Sequence, residues 1–145
     1  MNAPTNPRPG IDAFHRTRSK CIDAFSEVEQ ALIWIIERSG GKVGSDSFGQ
    51  KLERLRKAKP SATLSKAQIE KLTSLIDGCV AINELRNDIV HSTLQLAVIG
   101  SDQRACFINS RQSTSGSQTA RLFSLEGLRG LTAEMTELAT KIRAL

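Results

Sequence analysis

The sequence predicts a mainly α fold, a four-helix bundle with a small β-hairpin or sheet inserted before the last helix. Three observations carry this. Leu125, Leu128, Leu131, Met135, Leu138, Ile142 and Leu145 follow one another at intervals of 3, 3, 4, 3, 4 and 3, which is an amphipathic helix with one narrow seam. Ser65-x-x-Gln68 reads as a capping box that opens another long helix. After Thr93 the period shortens: Leu94–Ile99 and Ala105–Asn109 are brief apolar segments around Gly100-Ser101-Asp102-Gln103, the pattern of a β-hairpin.

The elements follow in order. Residues 1–10 hold all but one of the prolines and read as a disordered lead-in. Over Ile11 to Arg38, the residues Phe14, Cys21, Phe25, Val28, Leu32 and Ile35 gather on one helical face, and Ser39-Gly40-Gly41 ends that helix. Ser45-Asp46-Ser47 offers N-caps for a short second helix carrying Phe48, Leu52 and Leu55, closed by Pro60. The third helix runs from Ser65 to about Thr93. A polar stretch at Ser110 to Thr119 reads as a mobile loop, and Ala120 to Phe123 adds a third short strand. A chain of 145 residues with no internal repeat is expected to form a single helical domain over 11–145, its β insertion at about 94–123.

Composition narrows the classes. Hydrophobic residues make up 39% and charged residues 24%, ordinary for a globular protein and unlike a collagen-like or disordered chain. The longest apolar run, Ala31 to Ile36, falls far short of the ~20 residues a membrane span needs, and the N-terminus lacks the apolar core of a signal peptide. Cys21, Cys79 and Cys106 lie far apart and are odd in number, so neither a disulfide framework nor a zinc site is expected, and a reducing cytoplasm is the simplest compartment. No cofactor or metal is expected. Of the net charge of +5, the segment Lys42–Lys59 supplies +4, from six basic residues and two acidic ones. Such a cluster suits phosphate backbones, with Lys51, Arg54 and Lys57 as candidate contacts; it is equally the composition of a solvated helix face.

The third helix contains the anomaly. Its apolar stripe Ile69, Leu72, Ile76, Cys79 and Val80, continued at helical spacing, meets Asn83, then Arg86 and Asn87, before Val90. Ile82, Leu85 and Ile89 form a second apolar stripe beside it. Buried amides and guanidinium groups are costly unless paired, so this stretch marks a site, an interface or a structural network in which Asn83 caps a neighbour and Arg86 pairs with Asp88 or Glu84. His91 stands one turn after Asn87 and so projects from the same side of the helix. Arg86 lies about 140° away around the axis. Imidazole suits proton transfer near neutrality, and a guanidinium fork suits a phosphate.

Arg86-Asn87-Asp88-Ile89-Val90-His91 resembles the signature of the HEPN superfamily (higher eukaryotes and prokaryotes nucleotide-binding): an arginine, a polar residue, and a histidine after four to six intervening positions. Arg8 and His15 share that spacing, but Pro9 and Gly10 between them prevent a helix from holding them in register. The resemblance implies a helical bundle that dimerises. It also implies metal-independent ribonuclease activity of the kind found in toxin–antitoxin, phage-defence and CRISPR systems, with arginine and histidine from both protomers in a shared cleft. Carried to this chain, it makes His91 the general base or acid, Arg86 the stabiliser of phosphate charge, and Asn87 the residue that orients one of them. RNA, a second copy and a cognate antitoxin or other protein are the implied partners. A subgroup carries a modifiable tyrosine two residues after the histidine; here that position is Thr93, and the chain has no tyrosine. Nor is an aromatic base-stacking platform evident, since Trp34 and five phenylalanines are the only aromatics and most fit core faces. Two rival readings accompany the enzyme: a non-catalytic HEPN-like module binding RNA or protein, and a helical adaptor in which Asn83, Arg86 and Asn87 set dimer register.

Overall fold

The computed structural model describes residues 10–109 and 119–145. The expected lead-in, apart from Gly10, and the polar stretch Ser110 to Gln118 lie outside the described residues. Within them the order is α1 (Ile11–Arg38), α2 (Phe48–Arg56), α3 (Lys66–His91), β1 (Thr93–Ile99), β2 (Asp102–Asn109), β3 (Thr119–Phe123) and α4 (Leu125–Arg143). The chain is thus mainly helical, with a three-stranded antiparallel sheet, order β1-β2-β3, before the last helix.

Local chemistry sets the boundaries. Ser47 and Ser65 each accept a hydrogen bond from the backbone N–H three residues on, while the Gln50 and Gln68 side-chain oxygens accept one from the backbone N–H of those caps; Ser124 caps α4 in the same sense through Gly127. α2 stops at Arg56, ahead of Pro60, with Lys57 as its C-cap. α3 stops at His91 because Ser92 takes an extended conformation and leads directly into β1. The hairpin turn is tighter than the sequence suggested. Ile99 pairs with Asp102, leaving Gly100-Ser101 as a two-residue turn, and Gly100 has φ +62°, the sign a II′ turn requires at its first central position.

The two long amphipathic helices α1 and α4 form the spine. They pack side by side in parallel, Ala13–Lys20 beside Arg129–Thr132 and Glu27–Glu37 beside Arg143. All six apolar residues expected on the α1 face are buried, as are Leu125, Leu128, Leu131, Met135 and Ile142 of α4, where Ala139 completes the seam beside half-buried Leu138. The sheet closes one end. Ala105 and Phe107 of β2 turn inward, and Phe107 meets Phe123 edge to face at 5.8 Å. Trp34 departs from the core pattern: it is 44% exposed and lies under the Arg38 guanidinium, 5.1 Å from its ring centre.

The cysteines differ sharply in environment. Cys21 and Cys79 are buried and Cys106 is half-buried on the outer face of β2. Burial pushes the Cys79 thiol up to about 12 and raises that of Cys21, against a hydrogen bond with Thr132. Since the thiolate is the nucleophile, Cys106 is expected to react first with a thiol reagent in the native protein. Cys21 and Cys79 should react only on unfolding, and equal labelling of all three in native buffer, read by peptide mass mapping, would contradict this packing.

Candidate functional site

The last two turns of α3 send their polar side chains in three directions. Arg86 points inward, towards α1 and α2. Its Nη2 stands 3.7 Å from Glu29 Oε2, its guanidinium lies 5.5 Å from the Phe48 ring centre, and its Nη1 is 3.4 Å from Asn87 Oδ1. It pairs with neither Asp88 nor Glu84; the carboxylate comes from α1 instead. Asn83 is half-buried against α2 at Gly49.

Glu29 also accepts from Lys51 Nζ at 2.8 Å, and the same ammonium donates to the Asp46 carbonyl at 2.8 Å. Lys51 is only 6% exposed, so it does not face outward as a phosphate contact. The reason is visible in the spacing: Phe48, Lys51, Leu52 and Leu55 share the buried face of α2, and an ammonium carried into that face needs a carboxylate. Arg54 is exposed but bonded to the Lys42 carbonyl and, at 3.1 Å, to Asp46 Oδ2. Lys57 is exposed at the end of α2. The three cations proposed to hold RNA therefore do not form one surface.

Asp88 points the other way, into the sheet. It is 1% exposed, accepts from Asn109 Nδ2 of β2 at 3.1 Å, and accepts from Arg121 Nε of β3; Arg121 Nη2 also stands 3.7 Å from Glu84 Oε2. This carboxylate fastens α3 to both strands. Asp88→Ala deprives Arg121 of its nearest anion, and because that guanidinium keeps partial access to water the expected loss is about 2 kcal/mol. A melting temperature within a degree of wild type would show that the contact contributes nothing.

Asn87 and His91 occupy the remaining side. Asn87 is half-buried and His91 is exposed one turn later. Asn87 is thus the link between the three expected site residues, in contact with Arg86 and on the same flank as His91. Within one chain Arg86 and His91 do not come together, since about 140° of helix separates them.

Arg18 of α1 holds this end in place and was not singled out from sequence. Its Nε and Nη2 donate to the Ile89 carbonyl at 3.1 and 2.7 Å, and Nη2 donates to the Ser92 carbonyl at 2.7 Å. These are the orphan carbonyls of a helix C-terminus, where a cation is also favoured by the dipole. The guanidinium lies 5.6 Å from the Phe107 ring centre, and burial lowers its pKa. A signal was present: Phe14, Arg18, Cys21 and Phe25 run at core spacing, so Arg18 occupies a buried face.

The chain matches no family model, no curated protein and no solved structure. Among the described residues no group of His, Cys, Asp and Glu is placed to hold a metal ion, and no helix is long and apolar enough to cross a membrane. What the arrangement offers chemically is an exposed imidazole, an amide one turn before it on the same side, and a guanidinium engaged by Glu29 and Phe48.

Proposed function

We propose that this chain is a HEPN-like endoribonuclease protomer that cuts RNA by 2′-hydroxyl transesterification, at a cleft completed by a second copy. The observation that supports it most is Asn87, in contact with Arg86 and one turn before the exposed His91. In this reading His91 removes the 2′-hydroxyl proton as the 2′ oxygen attacks phosphorus. Arg86 stabilises the charge that builds on the phosphate, and Asn87 orients the reacting groups. The bond to the 5′ oxygen breaks, that oxygen takes up a proton, and the products are a 2′,3′-cyclic phosphate and a 5′-hydroxyl. Val80, Glu84, Asn87 and His91 form one exposed or half-exposed stripe along α3, and Val80, an apolar residue 43% exposed at the start of that stripe, gives a two-fold contact an apolar anchor. Such activity would fit a cytoplasmic toxin or phage-defence nuclease restrained by an antitoxin or other protein partner.

A second reading is favoured by one specific contact. Glu29 already supplies Arg86 with a carboxylate, as befits a non-catalytic HEPN-like module that binds RNA or protein. The experiment that separates them is RNA cleavage in EDTA by wild type, Arg86→Ala and His91→Ala. Cleavage by wild type alone, leaving cyclic phosphate ends, supports the enzyme. RNA binding without cleavage in all three supports the module.

A further inference from the structure

We infer that RNA is anchored by its phosphates in a cation-lined cleft between the N-terminal halves of α1 and α4. This rests on the reading of the chain as an RNA-acting protein, and it relocates the backbone contacts from α2 to a surface that the sequence did not single out. The cleft measures about 200 Å³ and is lined by Ala13, Arg16, Thr17, Lys20, Arg129 and Thr132. That is below the ~300–1,000 Å³ of a small-molecule pocket and suits a phosphate group rather than a whole cofactor. Three of its six lining residues are cations and none is an acid. Arg129 pairs with the exposed Glu126 at 2.7 Å, a contact worth little in water. Arg16 and Lys20 are exposed and, among the described residues, have no carboxylate partner. The Thr17 and Thr132 hydroxyls donate to the Ala13 and Leu128 carbonyls, each at 2.8 Å, so they do not compete as donors.

Position along the bundle decides between this surface and α2. Because Arg18 grips the carbonyls of Ile89 and Ser92, the end of α3 that carries His91 lies level with the first turns of α1. Arg54 and Lys59 instead line a hollow with Ile36, Ser39 and Gly41 at the far end of α1, roughly 25–30 Å further along at 1.5 Å per residue. The α1–α4 cleft is therefore at the His91 end of the molecule, and Arg54 and Lys59 are not. A strand that passes His91 and bends around α1, a helix about 10 Å across, brings its backbone to Arg16, Lys20 and Arg129.

The test is salt-dependent binding of a fluorescein-labelled 2′-O-methyl RNA oligomer, which cannot be cleaved, to the full chain. Loss of two phosphate contacts should flatten the log–log salt slope by about 1.4 and weaken binding about 20-fold at 0.1 M salt. That result is expected for Arg16→Gln/Lys20→Gln, while Lys57→Gln/Lys59→Gln stays near wild type and Arg16→Lys keeps the wild-type slope. Unchanged helicity by circular dichroism guards against misfolding, and Arg129→Gln provides an independent single change with a slope loss of about 0.7. Equal binding by wild type and the cleft variants, loss confined to the Lys57→Gln/Lys59→Gln variant, or binding to anionic phospholipid vesicles but not to RNA would each overturn the proposal. Cleft-dependent binding without cleavage of unmodified RNA by wild type would instead overturn the ribonuclease reading and leave the cleft standing.

Discussion

His91→Ala is expected to lower metal-independent RNA cleavage by about 10²–10⁴-fold, the range for losing a general acid or base, with almost no effect on folding. The imidazole is exposed at the last residue of α3, so its removal should change stability by no more than about 0.5 kcal/mol. That separation makes it the more informative of the two motif substitutions. Arg86→Ala would remove the contact to Glu29, the stacking on Phe48 and the Asn87 bond together, so lost activity could reflect a disturbed junction of α1, α2 and α3. Arg86→Lys is the better companion. It keeps the positive charge opposite Glu29 but loses the planar fork, and is expected to fold normally and cleave poorly. Single-turnover assays in EDTA, paired with thermal melts, read both quantities. If wild type and His91→Ala cleave equally, the imidazole takes no part in the chemistry.

Glu29→Ala is expected to cost about 3 kcal/mol, and to lower the melting temperature by about 10 °C for a domain of this size. The loss does not come from Glu29 itself, which keeps some access to solvent, but from Lys51, whose side chain is 7% exposed. With the carboxylate gone, that ammonium retains only the Asp46 carbonyl and remains a buried charge. Adding Lys51→Met removes the charge while keeping an unbranched apolar stem among Phe48, Leu52 and Leu55. The double variant should then recover most of the loss, with a coupling of about 2 kcal/mol in a double-mutant cycle from urea denaturation. Additive losses would mean that the two residues do not act as a pair. The outcome bears on function too, because Glu29 also stands against Arg86; a less stable pair is expected to leave Arg86 less well oriented.

Much of this was open to reading without coordinates. The α1 face from Phe14 to Ile35, the Ser65–Gln68 capping box, the α4 seam and the change of period at the hairpin are local, and an interaction three or four residues long is written where it acts. The same locality marked Arg86 as a polar residue on an apolar stripe, and it placed Asn87 and His91 on one flank. It also carried unread signals, since Arg18 and Lys51 occupy buried faces by the same spacing rule that located the core.

What faces those residues was decided only by the tertiary structure. Arg18 meets carbonyls 71 and 74 residues away, Lys51 meets a carboxylate 22 residues away, and Asp88 meets an amide and a guanidinium 21 and 33 residues away. Periodicity states which side of a helix a charge occupies, whereas the partner depends on how whole elements pack. For the same reason the sequence ranked the Lys42–Lys59 cluster by density of charge alone. Packing then buried Lys51, tied Arg54 to its neighbouring loop, and brought together Arg16, Lys20 and Arg129, cations from two helices that sequence distance keeps apart. A charged side chain is available to a ligand only where the fold leaves it exposed and at most weakly held by solvated partners, as with Arg129 beside the exposed Glu126, and that is a property of the assembled surface.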